Sequence, residues 1–173
     1  AGSIEASPRA ETSGIAASRR GNYFWVHDDS GDDPVLYAIG PTGSHLGSIR
    51  LKGVKNDDWE DIASFQKDGK SWLLVADTGD NNGKRKTVTL HLVEEPPLEK
   101  LSPQRSVTLT PAWSLRVRYE DGARDCESVA VDVATNSIYL LTKRDEPPRL
   151  YRVDLAAGNP NSPIVTARFA GKV

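Results

Sequence analysis

Short apolar or alternating runs, broken by Gly, Pro, Asn and Asp, recur along the whole chain, and helical periodicity is nearly absent. This pattern predicts an all-β protein. The predicted strands begin with NYFWVH (22–27), PVLYAI (34–39), HLGSIRL (45–51), SWLLVA (71–76) and KTVTLHLV (86–93). RSVTLT (105–110), SLRVRY (114–119), SVAVDV (128–133), SIYLLT (137–142), RLYRVDL (149–155) and PIVTARF (163–169) complete the series. Val88, Leu90 and Leu92 fall on one face of their run, as do Leu115, Val117 and Tyr119. A half-buried strand requires that alternation.

The chain is also self-similar. SGIAAS (13–18), EDIASF (60–65) and ESVAVD (127–132) superpose with Ile15, Ile62 and Val129 in register. Each is followed by a turn and an apolar strand (YFWVHDDSG, WLLVADTGD, IYLLTKRDE), then by an alternating strand carrying an aromatic residue or His (VLYAIG, TLHLVEE, LYRVDL). The second spacing exceeds the first because EEPPLEKLSPQR (94–105) intervenes, a Pro- and charge-rich excursion that reads as a surface loop. Three units of about 45–50 residues match the blade of a β-propeller. The fold class expected is therefore all-β, with about three four-stranded antiparallel blades: blade 1 over about 11–55, blade 2 over 56–122 and blade 3 over 123–173. Three blades cannot close a ring that typically needs four to eight. The expectation is a partial propeller whose missing half is supplied by the same or another chain, and whose exposed blade faces keep it from being a solitary monomer.

Composition narrows the function classes. With 22 basic against 24 acidic residues the net charge is −2, so no basic face marks a nucleic-acid partner, and no apolar run approaches a membrane span. GKRK (83–86) is too short a patch to change that. Cys126 is the single cysteine, which rules out an internal disulfide and a multi-cysteine metal site; it takes the repeat position of Trp59, where a small buried residue is the default. Methionine is absent, and the start AGSIEASPRA has no basic-then-apolar leader pattern. Residues 1–10 accordingly read as an N-terminal extension or cloning remnant, or as the start left once a leader has been removed.

NDDWEDIA (56–63) places four carboxylates around Trp59 just where an apolar strand starts. At the mouth of a propeller channel such residues converge, and like charges repel unless a cation sits among them. On this reading Trp59 packs between blades, while Glu60 and its repeat equivalent Glu127, with Ser13 in the first blade, point toward the axis. Glu60, Glu127 and Asp58 are the candidate metal ligands, and Ca²⁺ suits such hard oxygen donors. The alternative is a solvated turn whose acids cap loop amides.

Two further acidic loops, HDDSGDD (27–33) and ADTGDNNG (76–83), align through Ser30-Gly31 and Thr78-Gly79, which sets Asp29 opposite Asp77. They read as tight turns or as a binding rim that includes Asp29, Asp77, Asp80 and Asn81. DTGDNNG is not an EF-hand, since Val88 stands where the twelfth ligand should be. The third unit offers Lys143 and Arg144 at the matching place, as salt-bridge partners or as an anion-binding element. His27, beside Asp28 on the expected rim, is a weak catalytic candidate as general base. No G-x-S-x-G elbow occurs.

SGIAAS…FWVHDDSG…LYAI, DWEDIA…LLVADTGDN…R and DCESVAVD…IYLLTKR resemble a group of bacterial extracytoplasmic six-bladed propellers, related to esterase-like phytase and SdiA-regulated propellers. More distantly the layout is similar to gluconolactonase, regucalcin and paraoxonase propellers, whose catalytic Ca²⁺ lies at the channel. The resemblance implies export to the periplasm or medium and three further blades. Two functions are expected from it: a binding or scaffold propeller with a cation and a small-molecule or protein ligand on its rim, or a Ca²⁺-dependent hydrolase of lactones, esters or phosphoesters.

Overall fold

The computed structural model describes residues 12–31, 33–158 and 163–173; the extension expected over 1–10 lies outside them. The protein is all-β. Thirteen strands form: β1 (Thr12–Ala17), β2 (Phe24–Asp28), β3 (Val35–Ile39), β4 (His45–Leu51), β5 (Trp59–Lys67), β6 (Lys70–Asp77), β7 (Val88–Glu94), β8 (Val107–Leu109), β9 (Trp113–Tyr119), β10 (Cys126–Asp132), β11 (Ser137–Thr142), β12 (Arg149–Asp154) and β13 (Val165–Lys172). The described residues add only two short 3-10 turns, at Leu98–Lys100 and Leu155–Ala157. None of their helices is long and apolar enough to cross a membrane.

Two sheets result. A five-stranded sheet runs β1-β2-β3-β4-β8, and an eight-stranded sheet runs β10-β11-β12-β13-β9-β7-β6-β5. The end strands β5 and β10 of the larger sheet lie side by side, so it nearly closes on itself like a barrel. Within both sheets consecutive strands pair antiparallel, in three four-stranded meanders: β1–β4, β5–β6–β7–β9 and β10–β13. Local sequence makes such meanders inexpensive. Asp68 and Gly69, at φ 52° and 72°, form the two-residue loop between β5 and β6, the conformation a tight hairpin needs.

Two parallel pairings were not expected. β8 leaves the 94–105 excursion and joins β4, with Ile49, Arg50 and Leu51 opposite Val107, Thr108 and Leu109. The start of β13 joins β9 over Val165–Ala167, which fuses the second and third meanders into one sheet. Both additions satisfy backbone groups on an outer edge that would otherwise be open.

The apolar cores lie between meanders. Trp25, Leu36 and Ile49 of the first pack on Trp59, Ile62, Leu73 and Val75 of the second. Leu74, Leu90 and Leu115 of the second pack on Ile138, Leu140 and Tyr151 of the third. Fully burying such side chains stabilises by about 1.5–3 kcal/mol each.

A buried carboxylate fastens the first junction. Glu95, fully inaccessible at the end of β7, accepts from Ser18 Oγ (2.5 Å), Arg19 N (3.1 Å), Tyr23 Oη (3.2 Å) and Trp25 Nε1 (2.9 Å). A buried carboxylate is tolerable when its lone pairs are this fully occupied. Replacing it strands four donors, several of them buried. We expect Glu95→Ala to lower the unfolding free energy by about 3 kcal/mol or more in urea titration. Glu94→Ala, which removes only the exposed Lys70 ion pair, should cost about 1 kcal/mol or less.

Candidate metal centre

All three meanders begin with the same irregularity. The ladder between first and second strands slips at Thr12/Gly14, at Trp59/Asp61 and at Cys126/Ser128. The residues left out of register are Ser13, Glu60 and Glu127. A β-bulge re-aims the extra side chain, and here it draws the repeat equivalents together: the Ser13 hydroxyl donates to the Glu60 carbonyl at 3.1 Å and approaches Glu60 Oε2 at 3.5 Å. One oxygen each from Glu60, Asp125 and Glu127 lies within 4.8 Å of the others, and so does one each from Asp29, Asp58 and Glu60.

The loops are built to hold these acids close. Asn56 Oδ1 accepts from Trp59 N at 3.1 Å and its amide donates to Asp29 O at 2.7 Å, tying the NDDW turn to the loop after β2. Asp77 accepts from the backbone of Asp57 and Asp58 and pairs with Arg85 at 2.7 Å. Asp80, also buried, caps its own loop through the amides of Lys84 and Arg85, both at 2.8 Å. Gly79 N donates to Asp58 O at 3.1 Å, and a Cβ at Gly79 would collide with the carboxylates of both Asp58 and Glu60. Glycine is required there for close approach.

The charges divide into two groups. Glu127 is paired with Lys143 at 3.0 Å and Asp125 with Arg144 at 2.6 Å, while Arg144 also reaches Asn81 on the neighbouring meander. Asp29, Asp58 and Glu60 make no ion pair among the described residues. Burial first, then Glu127, Asp58 and Asp29, pushes the Glu60 carboxyl up to about 8. Burial and then Asp29 raise Asp58, with Arg85 opposing. Burial raises Asp77, again against Arg85. Three mutually repelling oxygen donors, one of them buried, are a set that could hold a metal ion.

The expected residues therefore divide. Glu60, Glu127 and Asp58 do converge, and Asp29 joins them. Lys143 and Arg144 stand as salt-bridge partners. Asp77 and Asp80 are occupied in building the loops, and Asn81 is exposed. Asp29 is not the ladder equivalent of Asp77: Asp28 pairs with Thr12 as Asp77 pairs with Trp59. The loop after β2 carries one more residue before its glycine, so alignment on the glycines shifts the match by one. His27 is not on the rim. Its ring is fully buried 5.6 Å from Trp59, burial lowers its basicity, and Nε2 has no hydrogen-bond partner. Alternation along β2 turns this side chain inward, where no substrate proton can reach it.

Two contributors were missed. Asp125 is the ladder equivalent of Asp58, a match visible in DCES against DWED. Asp61 accepts from Val129 N at 2.7 Å and its own Ile62 N at 2.8 Å, so it fastens β5 to β10 rather than binding at the cluster.

For the metal-free protein, Glu60 sets a pH dependence. Its folded value lies above the usual carboxyl value, so its contribution is fully present below about pH 4.5 and is lost as pH rises toward 8. At one pKa unit per about 1.4 kcal/mol the loss is a few kcal/mol. Chelator-treated protein should lose thermal stability between pH 4.5 and 8, and Glu60→Gln should flatten that slope. Matched against models of protein families and against curated proteins, the chain meets no counterpart.

Proposed function

We propose that this chain forms three blades of a β-propeller and acts as an exported binding or scaffold protein, with Ca²⁺ held at the channel mouth. The carrying observation is the Asp29–Asp58–Glu60 cluster: all-oxygen donors, a buried member and no ion pair. The propeller reading, with blades over about 11–55, 56–122 and 123–173, is supported by three meanders with equivalent bulges and apolar cores between neighbours. The parallel pairing of β9 with β13 is additional to a plain blade arrangement. Export rests on the resemblance of DWEDIA and DTGDN to extracytoplasmic propellers.

Asp29, Asp58 and Glu60 would hold the ion, with Glu127 and Asp125 at its flank. Ca²⁺ takes six to eight oxygens and tolerates irregular geometry, which suits carboxylates delivered from one loop, one turn and one strand. Calorimetric titration of chelator-treated protein should show Ca²⁺ binding. Glu60→Gln and Asp58→Asn should each weaken it at least about tenfold, and Lys143→Ala should not weaken it. At a hundredfold excess over the dissociation constant, Ca²⁺ should add about 2.7 kcal/mol to stability. Absence of binding by the wild-type chain would remove the cation from this account.

One observation favours a second reading, a Ca²⁺-dependent hydrolase. An open cleft lined by Asp58, Asp80, Asn81, Lys84 and Arg85 lies against the cluster. A bound Ca²⁺ would polarise a carbonyl or phosphoryl oxygen presented there, and the basic side chains would receive an anionic substrate. Turnover of lactone, ester or phosphoester substrates that EDTA abolishes would establish this reading; chelator-insensitive or absent turnover leaves the scaffold.

A further inference from the structure

The two ends of the row of meanders carry opposite halves of a junction that the chain already makes twice. Ladder partners make Ile15, Ile62 and Val129 equivalent, since they face Val26, Val75 and Leu140. Ile62 is 3% exposed and Val129 8%, each covered by the preceding meander; Ile15 is 61% exposed. Phe24 is likewise only half-buried, whereas its equivalents Leu73 and Ile138 are fully buried. Ile15, Phe24, Val26 and Ile39 line an open apolar groove on the first meander.

The far side of the third meander is the complement. In the second meander Ala63, Leu74, Ala76 and Leu90 form the face that packs on the third. Their ladder equivalents in the third are Ala130, Tyr139, Leu141 and Leu150. Ala130 is exposed and the other three are only partly buried.

We propose that these two faces pair across two copies of this chain, each free end of one copy packing on the opposite end of the other. The inference rests on the three-blade reading. Head-to-tail contacts close into a ring only if the rotation permits, and propellers typically hold four to eight blades. For units of three, six is the one multiple in that range, so two copies suffice. Electrostatics agree: the first meander brings Ser13, not a carboxylate, beside Glu127 of the other copy. The junction therefore adds no like charge to the mouth of the channel.

Light scattering over a concentration series should give a particle of twice 18.9 kDa. Ile15→Arg and Ala130→Arg, both at exposed positions, should each shift the chain to 18.9 kDa with its far-UV spectrum unchanged. Mixing the two variants should recover a weaker pair, because one junction then joins two intact faces. A wild-type monomer, an open-ended series of larger particles, or a dimer indifferent to both variants would each overturn the proposal. So would a monomer that dimerises only after removal of residues 1–11, which would make that segment the occupant. Ile62→Arg separates this from the blade reading. If it unfolds a wild-type chain that is monomeric, the internal junctions stand and only the second copy fails; if it is tolerated, the blade reading fails as well.

Discussion

Carboxylates that repel one another are held together here by backbone geometry, and much of the molecule is arranged around that constraint. Each meander starts with a bulge at the same ladder position, and the bulged residue is the one that turns toward its neighbours: Ser13, Glu60 and Glu127. Once Glu60 is buried beside Asp58 and Asp29, the surrounding chain has little freedom. Residue 79 must lack a Cβ, Asp77 must hold the NDDW turn, and Arg85 must neutralise Asp77. The outer acids are relieved by Lys143 and Arg144, and the inner three are left for a cation.

The cluster spans meanders, so its geometry depends on the junctions. Between the first and second, the aromatic core of Trp25 and Trp59 sets the spacing and Glu95 fastens the end of β7 to residues 18–25. Between the second and third, Thr78 and Cys126 exchange hydrogen bonds, Asp80 N donates to Asp125 at 2.9 Å, and Asp61 accepts from Val129 N. Cys126, fully buried, lets β10 approach where Trp59 fills the equivalent position in β5. Packing and charge are thus coupled: a loosened junction separates the carboxylates and lowers the demand for a counter-ion.

Much of this was legible in the sequence because it is periodic or repeated. Alternation located the strands, and the register of Ile15, Ile62 and Val129 identifies Glu60 and Glu127 as equivalents from the residues alone. What escaped was non-local. The pairing of β8 with β4 and of β13 with β9 involves three-residue edges that carry no local signal. Glu95 reads as one more acid in a charged, Pro-rich stretch, and only the fold shows four donors converging on it. A single extra loop residue displaced the alignment of Asp29 with Asp77, and the burial of His27 depended on which face of β2 turns inward.

The central claim is that the inner carboxylates exist to hold a cation, and anomalous diffraction from a crystal soaked in a lanthanide tests it most directly. Lanthanide ions are hard oxygen-seeking stand-ins for Ca²⁺. The account requires an anomalous peak within bonding distance of Asp29, Asp58 and Glu60, lost in Glu60→Gln crystals. A lanthanide-soaked crystal with no peak there, or with peaks only at surface acids, would contradict it.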